Sequence, residues 1–210
     1  MPAATLAKIL AMPDPDKKFL IVSRHWATEE TQRNEGLRIL REEGCDWCLI
    51  VDDDEMYNRG DFAKVVEFID KTVDPSVNVF AIHALVYWKD RKTVIMGLPA
   101  ATTTLITTSG RAFFKTARTC LTVGSAIRIP PEVAVMHHFS YVGNDARILR
   151  KIQTFSHASE TSSDWFERVW LKWHPDMENL HPNPKAPSAF RRAVSAVGLP
   201  WILEDLPTSL

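Results

Sequence analysis

Four consecutive acidic residues, Asp52 to Glu55, directly follow the apolar run Trp47–Val51. An apolar run of this length is typical of a buried strand in a parallel sheet, and such sheets bind ligands outside the carboxyl ends of their strands. Carboxylates that are packed together repel one another and raise one another's pKa. A divalent cation with oxygen ligands, Mg²⁺ or Mn²⁺, would remove that conflict. The run therefore predicts a metal site at the end of the strand; the alternative is a solvated acidic turn.

The first half of the chain alternates strand and helix patterns. Lys18–Ser23 and Val77–Tyr87 predict strands on either side of the acid-tipped one, and Glu29–Glu43 predicts a helix that Gly44 ends. A second helix is expected with Asp61 as its cap. Its apolar stripe consists of Phe62, Val65, Val66, Ile69 and Val73. This βαβαβ order predicts an α/β fold with a mixed, mainly parallel sheet flanked by helices.

The middle of the chain departs from this pattern. Its short Thr-rich runs predict antiparallel hairpins, and they are Lys92–Met96, Thr102–Thr108 and Leu121–Ile129. Val133–Phe139 predicts a further strand, followed by a helix with Asn144 or Asp145 as its N-cap.

Bulky apolar residues at helical spacing predict a last helix, and they are Trp165, Phe166, Val169, Trp170 and Trp173. Core packing is the simplest interpretation of this stripe, and a platform for stacking the rings of a ligand is the alternative. We expect residues 165–210 to form this helix and a Pro-rich tail, both packed on one domain that spans residues 1–210.

Composition narrows the classes of function. A chain of 210 residues that is 45% hydrophobic can bury one sizeable core, and its net charge of −1 argues against nucleic acid as a partner. The sequence has no apolar stretch long enough to predict a transmembrane segment, and its first residues lack the pattern of a secretory signal. Three cysteines, an odd number, indicate reduced thiols and a cytoplasmic protein.

An ordered series of motifs resembles the central signature of the family 2 glycosyltransferases. The series is Gln32-Arg33-Asn34-Glu35-Gly36, then Gly44-Cys45-Asp46-Trp47, then Ile50-Val51-Asp52-Asp53-Asp54-Glu55. The later half is similar to a bacterial and viral subgroup of that family at Met136–Val142, Lys151-Ile152, His157–Glu160, Trp165-Phe166 and Asn179–Pro182. The resemblance runs from about Lys18 to Phe190 and implies a GT-A fold, which is an α/β sandwich that binds nucleotide sugars.

The resemblance implies a metal-dependent sugar transfer. Asp52 and Asp54 would hold Mn²⁺ or Mg²⁺ against the diphosphate of a nucleotide-sugar donor, with Asp54 as the direct ligand. We expect Asp53 to point to the opposite side if the strand geometry persists, because side chains alternate along a strand. The uridine of a UDP-sugar is the expected base, and the acceptor would be a glycan or another hydroxyl compound.

Further residues are assigned to the donor and the metal. Arg33 and Asn34 lie near the donor pyrophosphate in the family, and Lys151 is a further candidate for a diphosphate contact. Family members often supply a late histidine as a metal ligand. We favour His138 over His137, because His137 shares its alternation with the apolar positions of its strand. A hydrogen-bonded core histidine and solvated surface cations are the alternatives.

The catalytic base is predicted less directly. An inverting transferase needs a carboxylate within hydrogen-bonding reach of the acceptor hydroxyl, and the candidates are Asp145 and Glu160. Helix capping explains Asp145 equally well, and an exposed helical acid explains Glu160. Neither belongs to the Glu-Asp pair that is usual in the larger family, so inversion and retention both stay open.

The beginning of the chain differs from the family pattern. Only Leu6, Ile9 and Leu10 precede the Lys18 strand as apolar positions, whereas family members have an additional base-binding unit there. We therefore expect a truncated GT-A domain whose exposed sheet edge pairs with a partner chain or a second copy. Two further functions stay open: an inactive nucleotide-sugar-binding or interaction module, and a metal-dependent phosphohydrolase.

Overall fold

The computed structural model of the protein describes residues 7, 8, 10–72, 74–96, 101–155 and 157–197. The predicted apolar positions Leu6, Ile9 and Val73 lie outside the described residues, as does the part of the predicted tail from residue 198 onward. The longer helices are α1 (Glu29–Glu42), α2 (Asp61–Asp70) and α3 (Asp145–Thr154). Shorter helical turns are the 3-10 turns Ala158–Glu160 and Pro187–Phe190 and the π-helical turn Phe166–Trp170.

The strands are mostly short, and one long strand lies among them. They are β1 (Trp47–Leu49), β2 (Glu55–Met56), β3 (Val77–Lys89), β4 (Thr93–Ile95), β5 (Thr102–Thr107), β6 (Ala112–Phe114), β7 (Cys120–Thr122), β8 (Ser125–Arg128), β9 (Val135–Val142) and β10 (Ala193–Ser195). Strands β6 and β7 form a separate hairpin, and the other strands form one curled mixed sheet.

Strand β3 is the centre of this sheet. Strands β5 and β4 pair with it antiparallel, while β8 pairs in parallel along Val77–Ala81 and β9 pairs in parallel along His83–Lys89. Strand β1 is joined to β5, β10 to β4, and β2 to β9, each antiparallel. The protein is therefore mixed α/β, as predicted, but the prediction of a mainly parallel sheet is wrong.

The reason for the difference is the position of β5. Strands β1 and β3 run in the same direction, as a crossover through α2 requires, but β5 inserts between them and is antiparallel to both. Lys18–Ser23, which the pattern predicts to be another parallel strand, is not part of a sheet. Its apolar side chains Phe19 and Leu20 are 52% and 63% exposed. Hydrogen-bonding partners of a strand are chosen by the whole fold, and local apolar patterning does not encode them.

Helix α1 follows its sequence signals closely. Thr28 caps the helix by accepting a hydrogen bond from the backbone N–H of Thr31 (3.4 Å), and two glutamates occupy the first turn, where acids favour the helix dipole. Gly44 has a φ of +76°, the left-handed conformation that ends many helices. The helix buries Leu37 against Ile50 and Ile106 of the sheet. This packing places the first turns of α1 beside the end of β1.

The C-terminal part is less helical than predicted. Among its described residues the helical turns are Phe166–Trp170 and Pro187–Phe190, both short, so the prediction of a helical C-terminal region is not confirmed. The apolar spacing correctly predicted which side chains are buried: Trp165 and Trp170 are almost completely buried. Their rings contact Trp88 edge-on, with centroids 6.1 and 5.4 Å from its ring. The stripe is core packing, as its simplest interpretation predicted. Among the described helices, none has the length and apolarity needed to cross a bilayer.

Trp88→Ala is expected to lower the free energy of unfolding by about 3–5 kcal/mol, because it empties the centre of this aromatic cluster. Leu171→Ala is the control, since Leu171 is 51% exposed and its loss should cost less than about 0.5 kcal/mol. Urea unfolding followed by tryptophan fluorescence measures both. A similar cost for the two variants would contradict the assigned packing.

Candidate functional site

The acidic run forms a tight turn and does not continue the strand. Strand β1 ends at Leu49, and the backbone N–H of Glu55 donates to the carbonyl oxygen of Asp52 (3.1 Å). The Glu55 carboxylate also accepts a hydrogen bond from the backbone N–H of Asp52 (3.0 Å). The alternation of side chains expected for a strand therefore stops at the turn. The turn and the segments that contact it therefore determine which acidic side chains lie next to one another.

Strand β9 holds this turn in place. The backbone N–H of Phe139 donates to the carbonyl oxygen of Asp54 (2.8 Å), and β2 pairs with β9 in a register that sets Glu55 opposite His138. This pairing joins two segments that are far apart in the chain. The register brings the side chain of His138 next to Asp54.

Asp54, His138 and Lys151, which we call the Asp54 cluster, meet at this point. His138 Nε2 lies 3.3 Å from one Asp54 carboxylate oxygen, and Lys151 Nζ lies 3.4 Å from the other. Burial alone would raise the pKa of Asp54, but the hydrogen bond and charge of His138 together with the charge of Lys151 lower it well below its usual range. Asp54 is therefore ionised at neutral pH. The structure brings together three residues that the sequence nominated for metal and donor binding.

A second group, the Asp52 cluster, consists of Arg33, Asp52, Glu55 and Arg118. Arg33 pairs with Asp52, and Arg118 Nη2 donates to Asp52 Oδ2 (2.8 Å) and to Glu55 Oε1 (2.5 Å). Glu55 is buried. Burial acts to raise the pKa of Asp52, and the two guanidinium groups outweigh it, so the pKa is lowered. Asp52 is thus joined to Glu55 through Arg118, whereas the sequence predicts that it shares a site with Asp54.

Arg118 is a member of the site that sequence reasoning missed. It lies in the loop between β6 and β7, and none of the motifs of the sequence includes it. It reaches the acidic turn because the hairpin folds back across the end of β1. Its guanidinium also donates to the carbonyl oxygen of Thr103 on β5 (3.3 Å), which fixes its position.

His137 is a core histidine. Its side chain is completely buried; Nδ1 lies 3.1 Å from the Tyr87 hydroxyl and Nε2 lies 3.4 Å from the amide nitrogen of Asn58. An amide nitrogen can only donate, so Nε2 accepts and Nδ1 carries the proton. Burial lowers the pKa of His137 to about 4, which keeps the ring neutral at physiological pH. The alternation argument that set His137 apart from His138 agrees with this placement.

Asn34 has a structural contact instead of a position at the acidic turn. Its amide nitrogen donates to the carbonyl oxygen of Phe114 (2.9 Å), and its amide oxygen accepts from the backbone N–H of Phe114 (2.8 Å). This reciprocal pair fastens the β6–β7 hairpin to α1. Of the two neighbours assigned to the donor pyrophosphate, Arg33 lies at the turn and Asn34 supports the hairpin that carries Arg118.

The two candidate bases make their hydrogen bonds away from the clusters. Asp145 Oδ1, at the start of α3, accepts a hydrogen bond from the indole nitrogen of Trp170 (2.8 Å). Glu160 accepts hydrogen bonds from His157 Nδ1 (3.0 Å) and from Asn183 Nδ2 (2.8 Å). The hydrogen bond to His157 is the main cause that lowers the pKa of Glu160. Both carboxylates are exposed, and Asp145 shares α3 with Lys151.

The clusters can be compared with what a divalent cation needs. Within the described residues, no three His, Cys, Asp or Glu side chains are grouped closely enough to hold a metal ion by themselves. Asp54 and His138 provide two such groups, and Mg²⁺ commonly binds through one or two carboxylates while substrate phosphates and water complete its shell. A cleft of about 210 Å³ opens beside Asp54. It is also lined by Asp53, Met56, Phe139, Val142, Gly143 and Arg147. Asp54 and His138 could therefore hold a metal ion together with further ligands such as water or phosphate oxygens.

Asn34→Ala is expected to lower the free energy of unfolding by about 1–3 kcal/mol, because both backbone groups of Phe114 lose their partner. Gln32→Ala is the matched control, since Gln32 is exposed on the same helix. Thermal unfolding without any ligand measures both. A variant as stable as the control would show that Asn34 does not fasten the hairpin.

The comparisons with known proteins add no relative: no protein-family model matches this chain, and no curated protein matches it.

Proposed function

We propose that this protein transfers a sugar from a nucleotide-diphosphate donor, a UDP-sugar in the first instance, to a hydroxyl of a glycan or similar acceptor. The observation that carries the proposal is the Asp54 cluster. Asp54, His138 and Lys151 come from three separate motifs of the sequence, and their charged or polar atoms meet within 3.4 Å. The shared end of β2 and β9 is the proposed site of the donor diphosphate.

The cations of the two clusters are the groups that recognise the diphosphate. Arg33, Arg118 and Lys151 neutralise the acidic turn in the free protein, and each is paired with a carboxylate. A diphosphate offers the same cations stronger negative charge and bidentate oxygens. The ammonium group of Lys151 is the most easily redirected, because its contact with Asp54 is long, at 3.4 Å, and its side chain is 23% exposed. Donor binding therefore exchanges the carboxylate partner of Lys151 for a phosphate partner.

The Asp54 carboxylate, once Lys151 has released it, is the proposed ligand of a divalent cation. Asp54 and His138 would hold Mn²⁺ or Mg²⁺ together with phosphate oxygens of the donor. When bound, such an ion stabilises the negative charge on the departing diphosphate. Asp52 is held by two arginines and positions the turn, so Asp54 is the stronger candidate ligand of the two.

Asp145 and Glu160 remain the candidates for the base that takes the proton of the acceptor hydroxyl. The lowered pKa of Glu160 leaves its carboxylate ionised at neutral pH but makes it a weaker base than an ordinary glutamate, so its candidacy rests on its orientation. Glu160 is held by side chains of two separate segments, His157 and Asn183, which gives it a defined orientation. A phosphohydrolase with two metal ions would need additional grouped acids, and the described residues contain no such group.

Addition of UDP is expected to raise the melting temperature only when Mn²⁺ is present. At a ligand concentration about 100-fold above Kd the increase should be about 5 °C or more, because binding stabilises the folded state by mass action. Asp54→Asn should abolish the increase, and Asp53→Asn should retain it, since Asp53 is exposed and belongs to neither cluster. Stabilisation that persists in chelator would contradict a site shared by metal and phosphate.

Release of UDP from UDP-sugars, with and without acceptor glycans, is expected to depend on Asp54. Asp54→Asn should lower kcat/KM by about 100-fold, because it removes a ligand that acts on the leaving diphosphate. Asp53→Asn should leave kcat/KM within a few-fold.

The same assay assigns the base: of Asp145→Asn and Glu160→Gln, the variant at the true base should lose at least about 100-fold in kcat. A protein that binds UDP with metal but releases none from any donor would be a binding module.

A further inference from the structure

The β6–β7 hairpin has one buried face and one exposed face. Ala112 and Phe114 are each 2% exposed and pack beneath the hairpin with Leu37 of α1. The opposite face, which we call the outer face, is formed by the side chains of Arg111, Phe113, Lys115, Thr119, Leu121 and Val123, all of them exposed. Because side chains alternate along a strand, the burial of one face leaves the other available for a partner.

Large apolar side chains make up the centre of the outer face. Phe113 and Leu121 lie directly opposite one another across the two strands and are 52% and 45% exposed. Val123 is 89% exposed. Single exposed apolar residues are common, but neighbouring ones on one rigid ribbon form a patch that marks an interaction surface.

The charged side chains on the outer face itself have a single sign. Arg111 and Lys115 flank Phe113 on the same face of β6. Residues 91–131 contain six lysines and arginines and no aspartate or glutamate, in a chain whose net charge is −1. The patch therefore combines apolar side chains with the cations Arg111 and Lys115.

We propose that the outer face of the β6–β7 hairpin docks this protein on an anionic lipid bilayer. Apolar side chains that insert at the level of the headgroups, with cations beside them that meet anionic lipids, are the two contributions that hold a protein to a membrane surface. Nucleic acid would match the cations, but aliphatic side chains such as Leu121 and Val123 offer its phosphates no favourable contact, whereas a bilayer accepts both kinds of side chain. The docking is peripheral, since the described helices are too short or too polar to span a bilayer.

Docking in this way would also orient the candidate site. The loop that joins β6 to β7 carries Arg118, whose guanidinium donates to Asp52 and Glu55. The hairpin thus contacts the bilayer through one face and the acidic turn through its loop. Membrane binding does not depend on the proposed sugar transfer, so the failure of either proposal leaves the other intact.

Flotation of the full chain with lipid vesicles tests the proposal. We expect binding to vesicles of phosphatidylcholine mixed with phosphatidylglycerol, little binding to phosphatidylcholine alone, and a loss of binding when salt is raised to about 0.5 M. Phe113→Ser combined with Leu121→Ser should lower the partition coefficient at least about tenfold, because the apolar contribution is removed. Arg111→Gln combined with Lys115→Gln should lower it on anionic vesicles only.

The matched control is an exposed apolar patch on α2. Phe62 and Val66 are 43% and 56% exposed there, but Glu67 and Asp70 lie beside them on the same helix. Phe62→Ser combined with Val66→Ser should leave vesicle binding unchanged, and thermal melts show that each variant is folded. The proposal is overturned if the protein does not bind anionic vesicles, or if the α2 control loses as much binding as the hairpin variant. It is also overturned if the hairpin substitutions leave vesicle binding intact and abolish self-association or binding to duplex DNA.

Discussion

Backbone pairing along β3 is the interaction on which the rest of the structure depends. This strand of 13 residues pairs with β5, β8, β9 and β4, so a single segment orders most of the sheet. Its side chains take part in several hydrophobic clusters, and Phe80, Ile82, Tyr87 and Trp88 are almost completely buried. The parallel pairing with β9 has the further consequence that His138 is brought to the acidic turn. The candidate site is thus a result of the position of β9 beside β3.

The acidic turn poses an electrostatic problem that the protein solves with its own cations. Asp52 and Glu55 are bound by Arg118, Asp52 is also bound by Arg33, and Asp54 is bound by Lys151. Partly buried carboxylates without such partners would repel one another and take up protons. The same cations are suited to phosphate, because guanidinium and ammonium groups bind carboxylate and phosphate oxygens in similar ways. A cation that turned from such a carboxylate to phosphate would leave the carboxylate without its partner, which is why we propose a divalent cation at Asp54.

Much of the local structure could be predicted from the sequence. Helix α1 spans Glu29–Glu42, close to the predicted Glu29–Glu43, and ends before Gly44 as the glycine signal predicts. The aromatic spacing identified Trp165 and Trp170 as buried, although the segment forms a π-helical turn and not a long helix. The alternation of side chains along β9 separated His137 from His138. These features depend on neighbours within a few residues, which is the range over which sequence patterns are informative.

The arrangement of strands and the pairing of charges could not be predicted in the same way. Strand β5 lies between β1 and β3, and Lys18–Ser23 stays outside the sheet, because hydrogen-bonding edges are shared among segments far apart in the chain. Arg118 reaches Asp52 across 66 positions, through a hairpin fastened by Asn34. The sequence by itself determined the ends of α1, the burial of Trp165 and Trp170 and the acidic run after β1. Tertiary structure alone decided which cations meet those acids, since charge pairing over such separations is set by the packing of whole elements and not by local patterns.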